Sequence, residues 1–397
     1  LIGTPISSDY FSSLLNNAFD GDISTYFQST LSSNGWIGLK LDSKYQITKI
    51  GFAIKTNDKS DFLLGVFEGA NDITFFESVP LYMITDGTEN QMNYVNIKVS
   101  KKFKYIRYVG PNKKNCLISE IEIYTDEDKE PEEDKNYYQP TNIPLISIHT
   151  EESIEPYDKE NYINCDILII DQNKKNVNEK GKIKLRGNAT FRLNKKAYKI
   201  KFENKVSPLN LPAKAKKWNL LANHGDKTLL RNILGLKISE LFEMKYTPQC
   251  ELVDVIVNGE YKGNYNLCDQ VEMHKKRVEL TEMDETCIEE PEVTGGYFFA
   301  ADAYAKQEGD YQETTKGIIY KIEYPEDDSI VTEQVNYLTN YFNKLEDEVY
   351  NNTVDKIDIE TFCKYLLIED LCGNGEAYWI TYMTKEREDN KFYFGPV

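Results

Sequence analysis

The ten residues from Asp126 to Lys135 read DEDKEPEEDK. A stretch that is almost wholly charged, contains Pro131 and lacks apolar periodicity has no surface to bury and cannot order itself. It therefore divides the chain. The expected organisation is one domain over residues 1–125, an acidic linker over 126–138 and a second domain over 139–397. The length agrees, since two domains are the better prior for 397 residues. A hydrophobic content of 40% supplies material for a packed core in each.

The formal net charge is −18. A phosphate backbone needs a cationic face, so nucleic acid is not expected as a partner. No apolar run approaches the roughly 20 residues that a membrane helix requires, and no transmembrane segment is expected. The seven cysteines include no C-x-x-C pair, which argues against zinc. Their odd number leaves at least one thiol unpaired or paired outside the sequence. The chain opens at Leu1 without a Met, as a mature or trimmed piece does. Sequons at Asn188 and Asn351 permit export without requiring it.

Before the acidic run, short β-type segments dominate. Trp36–Leu41, Ile50–Ile54, Leu63–Phe67, Tyr94–Val99 and Tyr105–Val109 are separated by Gly, Asn and Asp turns. That spacing predicts a β-sandwich or jelly roll. After the run, strands and helices mix. Lys182–Leu185 and Tyr198–Phe202 alternate apolar and basic residues as half-buried strands do. Leu230, Ile233, Leu234, Ile238 and Leu241 form a helical stripe, with Asp226 placed to cap it. Val253, Val255 and Val257 lead into Asn258-Gly259, a strong hairpin signal, and the chain returns over Tyr261–Leu267. Val335, Leu338, Phe342, Leu345 and Val349 mark a second helix. Asp358 is placed to cap a third that ends at Gly373, and Lys391–Phe394 is a last short strand.

Ala18-Phe-Asp-Gly-Asp-Ile-Ser-Thr25, Gly35-Trp-Ile-Gly38 and Ile118-Ser-Glu-Ile-Glu-Ile123 occur in the order found in the discoidin (coagulation-factor C-type) family, which residues 1–125 resemble. The resemblance implies an all-β jelly-roll sandwich, a polysaccharide or glycan as ligand, and a structural calcium ion held by Asp20, Asp22, Thr25 and Glu120. An acidic turn without an ion is the alternative. The ligand surface is expected on loops at one end. Tyr26, Phe27, Phe75 and Phe76 are candidates for sugar stacking by residue type, whereas Trp36 reads as core.

The second domain carries ten motifs in order: Arg186-Gly-Asn188, Lys195–Lys201 (KKAYKIK), Lys217–Asn223 (KWNLLAN), Leu230-Arg-Asn232, Tyr246-Thr-Pro248, Asn258–Gly263 (NGEYKG), Asp269-Gln-Val-Glu272, Gly295-Gly-Tyr297, Gly373–Tyr378 (GNGEAY) and Tyr393-Phe-Gly-Pro396. Together they resemble the spore-coat CotH kinase family. This implies an α+β atypical protein-kinase-like fold, ATP with Mg²⁺ or Mn²⁺, a protein substrate, and a secreted or cell-surface location. The family continues into W-D-F-D, which this sequence lacks, so the carboxy-terminal lobe is expected to be incomplete and the piece catalytically weak by itself.

No G-x-G-x-x-G or Walker loop is present, so phosphate binding has to rest on side chains. Arg186, Lys196 and Lys199 are the candidates for the triphosphate, and a solvated basic strand face is the alternative. Arg231 is a candidate for a salt bridge across the nucleotide cleft, with a surface ion pair as its alternative. Asp269 and Gln270 correspond to the hinge that borders adenine. Glu376 stands where the family pattern has an aspartate aligned with the catalytic base, and Thr381 stands where some relatives carry a metal-binding Asn. Two functional readings result. One is an ATP-dependent protein kinase with a sugar-binding module; the other is a non-catalytic carbohydrate-binding scaffold with a pseudokinase domain.

Overall fold

The computed structural model describes residues 1–9, 14–126, 137–173, 175–309, 311–326, 328–375, 377 and 379–395. The chain is mostly β and divides into two compact units. The first comprises Leu1–Asn210, Lys214–His224 and Leu252–Leu267; the second comprises Leu211–Ala213, Gly225–Glu251 and Cys268–Val397.

The first unit opens with a sandwich. Its strands are β1 (Gly3–Ser7), β2 (Phe27–Gln28), β3 (Trp36–Gln46), β4 (Lys49–Ala53), β5 (Val66–Ala70), β6 (Val79–Met83), β7 (Asn93–Asn96), β8 (Lys102–Val109), β9 (Leu117–Ile118) and β10 (Glu120–Tyr124). A five-stranded sheet in the order β1-β3-β8-β5-β6 and a three-stranded sheet β10-β4-β7 enclose the core, with β2 and β9 as a short extra pair. Each of the five strands expected from alternation overlaps an observed one. Leu39, Ile50, Phe52, Phe67, Ile106 and Ile121 face inward and are buried, as the period of two requires.

Seven further strands close into a barrel: β11 (Leu145–Thr150), β12 (Ile163–Ile170), β13 (Asn176–Arg186), β14 (Ala197–Val206), β15 (Ala215–Leu221), β16 (Cys250–Val257) and β17 (Glu260–Asp269). Antiparallel pairing runs from β11 to β15, and a parallel pair between β11 and β16 helps to close the wall. Closure removes the exposed edges that an open sheet of this size would present. Ile183, Ile200 and Trp218 lie in register on β13, β14 and β15 and are fully buried. The Asn258-Gly259 turn joins β16 to β17, as the sequence predicts.

Sandwich and barrel are not separate bodies. Leu145, Leu168, Ile170 and Ile256 of the barrel belong to the same apolar cluster as the sandwich core, with Tyr137, Tyr138 and Tyr261 packed against it. Of the expected linker, residues 127–136 lie outside the described residues, and Tyr138 donates from its hydroxyl to the Met83 carbonyl (3.4 Å). The chain passes between the compact units at residues 211–213, 225–251 and 268.

The second unit contains α1 (Arg231–Leu241), α2 (Ala305–Glu308), α3 (Thr332–Tyr350) and α4 (Ile359–Cys372). Its sheet has the order β19-β20-β18-β21-β22 and consists of β18 (Tyr297–Asp302), β19 (Gln312–Glu313), β20 (Ile319–Tyr324), β21 (Ile380–Lys385) and β22 (Tyr393–Phe394). The stripe Leu338, Phe342 and Leu345 of α3 packs on Phe299, Tyr320 and Ile322 of this sheet, as its spacing predicts. Asp358 caps α4 by accepting from Thr361 N (2.9 Å), and Gly373 ends it in the left-handed region (φ +61°). The α1 stripe is a misreading. Leu234 and Leu241 are 53% and 81% exposed, and the buried positions are Gly235 and Ser239. These small residues let α1 approach α4 closely; a Cβ on Gly235 would lie 3.1 Å from Cys372 Sγ.

Candidate functional site

The motif residues of the barrel wall are positioned by strand register. Lys184 pairs with Lys199, and Arg186 with Ala197. Arg186 lies two residues from Lys184 on the same strand, so Arg186 and Lys199 share the outward face. Lys196 precedes β14 and is engaged differently. Its Nζ donates to the Phe191 carbonyl (2.7 Å) and lies 5.3 Å from the Phe191 ring centre. Its neighbour Lys195 is half-buried, donates to the Asn264 carbonyl and sits 4.4 Å from the centre of the Tyr265 ring. Burial pushes the Lys195 ammonium down to about 8, against the pull of Asp254.

The D-Q-V-E segment forms an ion-pair junction. Arg277 Nε donates to Asp269 Oδ1 (2.8 Å), and Arg277 Nη1 donates to Glu272 Oε1 (2.7 Å). The other Asp269 oxygen accepts from Gln249 N (2.9 Å). Burial raises the Asp269 carboxyl, while its bonds to Gln249 and Arg277 act in the opposite direction. Gln270 donates from its side chain to the Val271 carbonyl (3.2 Å). Asp269 therefore has a structural anchoring role. Arg231 opens α1 with its backbone N–H on Asp226 Oδ2 (2.8 Å), and its exposed guanidinium is 3.8 Å from Asp226 Oδ1. That separation is within ion-pair range. The bond from Arg231 N, with help from Thr228 and Leu230, holds the Asp226 carboxyl down at about 2.

Glu376 lies outside the described residues. What surrounds it in sequence is ordered by its neighbours. Asn374 N donates to the Glu369 carbonyl at the end of α4 (3.0 Å). The Ala377 carbonyl accepts from Thr381 Oγ1 (2.7 Å) and from the Tyr365 hydroxyl (3.1 Å). Thr381 thus serves as a loop anchor.

In the sandwich, Asp20 and Glu120 meet across the first loop. Glu120 Oε2 accepts from Gly21 N (2.7 Å), while Asp20 accepts from Asp22 N (2.9 Å) and Thr25 Oγ1 (2.9 Å). Asp22 bonds Ser24 instead, and that bond lowers its pKa. Burial raises the Glu120 carboxyl, and the charges of Asp20 and Glu122 add to the shift. A divalent cation would relieve that repulsion. Among the described residues no three His, Cys, Asp or Glu side chains cluster as metal ligands, so an ion here would rest on two carboxylates and on carbonyls or the Thr25 hydroxyl. Two of the sugar-stacking candidates are overturned. Phe27 and Phe75 are fully buried, Phe75 against Trp36 and the Arg107 guanidinium, whereas Tyr26 is 40% exposed.

A family model described as CotH kinase protein matches residues 183–396. The chain belongs to the CotH family. The match runs from the basic strands of the barrel through the loop after α4 to the last described strand. Solved structures similar to the amino-terminal part are carbohydrate-binding modules. One is CBM62 of Clostridium thermocellum Xyl5A, 28% identical, covering 32% of this chain and 95% of that one with a TM-score of 0.30. A second is CBM32-6 of GH89 from Clostridium perfringens, 23% identical, covering 31% and 93% with a TM-score of 0.26. A third is a chitosan-binding module from a Paenibacillus sp. IK-5 chitosanase/glucanase, 20% identical, covering 31% and 94% with a TM-score of 0.26. No curated protein matches the chain.

Sequence reasoning about this CotH domain passed over Lys195 and Arg277. Lys195 sits beside Lys196 in a run of like residues, and only the fold tells which ammonium enters the wall. Arg277 carried no signal, because it closes a hydrophilic H-K-K-R run that reads as solvated surface.

Proposed function

We propose that this CotH protein is a secreted or surface-associated, ATP-dependent protein phosphotransferase carrying a glycan-binding sandwich. The carrying observation is the shared outward face of Arg186 and Lys199 on paired strands, inside the span that matches the family. In a kinase-like arrangement these two, with Lys196 nearby, hold the triphosphate of ATP. The backbone at Asp269 and Gln270 borders the adenine, and Glu376 orients the acceptor hydroxyl. Mg²⁺ or Mn²⁺, when bound with the nucleotide, neutralises charge on the transferring phosphoryl group. Asp20 and Glu120 are the carboxylates for a structural Ca²⁺, and the exposed Tyr26 ring is the first candidate for sugar contact.

Melting with and without ATP and Mg²⁺ or Mn²⁺ tests the nucleotide assignment. A metal-dependent rise is expected, lost in R186A/K199A, together with weak phosphate transfer from labelled ATP that Glu376→Ala abolishes. No rise in the wild-type protein would sink the phosphotransferase reading. A scaffold reading is favoured by the Lys196 ammonium, already engaged by the Phe191 carbonyl, and by Glu376 in place of the family's aspartate. It predicts retained polysaccharide binding, weakened by Tyr26→Ala, with no response to nucleotide.

A further inference from the structure

The register of the β16–β17 hairpin brings two cysteines together at its base. Asn258 and Gly259 have φ +53° and +85°, as a two-residue type I′ turn requires, and such a turn sets Val257 against Glu260. Counted back from there, Cys250 would face Leu267. Gly263, at φ +96°, is placed as a bulge residue and adds one position to β17. The far end of the hairpin agrees. Asp269 N donates to the Gln249 carbonyl (2.9 Å), which sets 249 against 269 and therefore Cys250 against Cys268. Because that bond belongs to the 249/269 pair, the cysteines form the non-hydrogen-bonded pair beside it. In such a pair the Cα atoms stand about 4.5 Å apart with both side chains on one face, and a disulfide needs about 4.4–6.8 Å. Both cysteines are buried, at 5% and 3% exposure. Cys363 and Cys372, by contrast, share α4 and lie about 13 Å apart along its axis, too far to bridge.

We propose that Cys250 and Cys268 are the sites of a cross-strand disulfide that closes the base of this hairpin. The oxidant is a small disulfide such as oxidised glutathione. One cysteine thiolate attacks a sulfur of the donor and releases the first glutathione thiol; the second cysteine then displaces the other. The new S–S bond forms as the donor's breaks, and the two electrons and two protons of the cysteines end on the two glutathione thiols. The bond persists in an oxidising compartment. Asp269, next to Cys268, holds Gln249 N and Arg277 through its carboxylate, so the bridge fastens the segment that leads into Asp269 and Gln270. An effect on nucleotide binding rests on the phosphotransferase reading; the disulfide itself does not.

The test refolds the full chain from urea in glutathione buffers running from reducing to oxidising, so that burial does not shield the thiols. Remaining thiols are alkylated, and peptides are mapped by mass spectrometry without reduction. A linked pair containing Cys250 and Cys268, separating on reduction, is expected in the oxidising buffers. The oxidised protein should unfold at a higher urea concentration than the reduced one, a difference that C250A/C268A removes. The linked pair is read in the wild type and needs no variant to fold. Two results would overturn the proposal: both cysteines alkylated in the most oxidising buffer, or either one linked to a different cysteine. The ATP-dependent melting shift, measured in parallel, should differ between the oxidised and reduced forms. Equal shifts would end the link to the nucleotide and leave the disulfide intact, and no shift in either form would fall on the phosphotransferase reading alone.

Discussion

Replacing Glu68 by Gln should cost the first unit about 3 kcal/mol at neutral pH. Glu68 on β5 is completely buried. Its Oε2 accepts from Arg107 Nε (2.9 Å) and lies 2.8 Å from Arg107 Nη2, and its Oε1 is 3.2 Å from His149 Nε2 on β11. Arg107 Nη2 also donates to the Asn258 carbonyl of the β16–β17 turn (3.2 Å). Gly259 of that turn has φ +85°, and a Cβ there would come within 2.5 Å of Glu68 Oε2. The turn therefore closes over the carboxylate, and the network ties sandwich to barrel. Burial alone would raise the Glu68 carboxyl; Arg107 and His149 outweigh it and hold it at about 2, against an ordinary 4.5.

A carboxyl held that far down contributes about 3 kcal/mol. Breaking a buried ion pair by removing one partner costs about 3–5 kcal/mol, which agrees. A depressed carboxyl contributes its stability above the unfolded value and loses it as pH falls through the folded one. The difference between wild type and Glu68→Gln should thus shrink as pH falls below 4.5 and approach zero near 2. Urea unfolding followed through Trp36 and Trp218 fluorescence measures it. A difference under about 1 kcal/mol at pH 7, or one that does not narrow in acid, would refute the ion-network account.

Arg277→Met leaves Asp269 buried without its cation, and about 3–5 kcal/mol of destabilisation is expected in urea. Acylation of Lys195, located by mass spectrometry across pH, should reach half its plateau near pH 8, well below the ordinary lysine value of 10.5; a midpoint near that value would contradict the burial argument. Asp358→Ala removes the cap of α4 and should lower stability by about 1 kcal/mol, which thermal melting checks. Chelation with EGTA should lower the melting temperature of the wild type and leave Asp20→Ala unaffected, if Asp20 and Glu120 hold calcium.

What was legible in the sequence is what local periodicity carries. The alternation in β8 and β14, the Asn258-Gly259 turn, the α3 stripe and the Asp358 cap each depend on residues within a few positions of one another. The α1 stripe failed because periodicity reports which residues share a face, not which face is covered; Gly235 and Ser239 met α4 instead. The Glu68 network was invisible for a stronger reason. Its members lie 39, 81 and 151 residues from their partners, and a lone Glu, Arg or His in a strand reads as solvated polar surface. Only the closed barrel brings Asn258 and His149 over the sandwich, where a charge that would be costly alone becomes paired. The chemistry there resides in the pairing, so register supplies information that composition and motif spacing leave out.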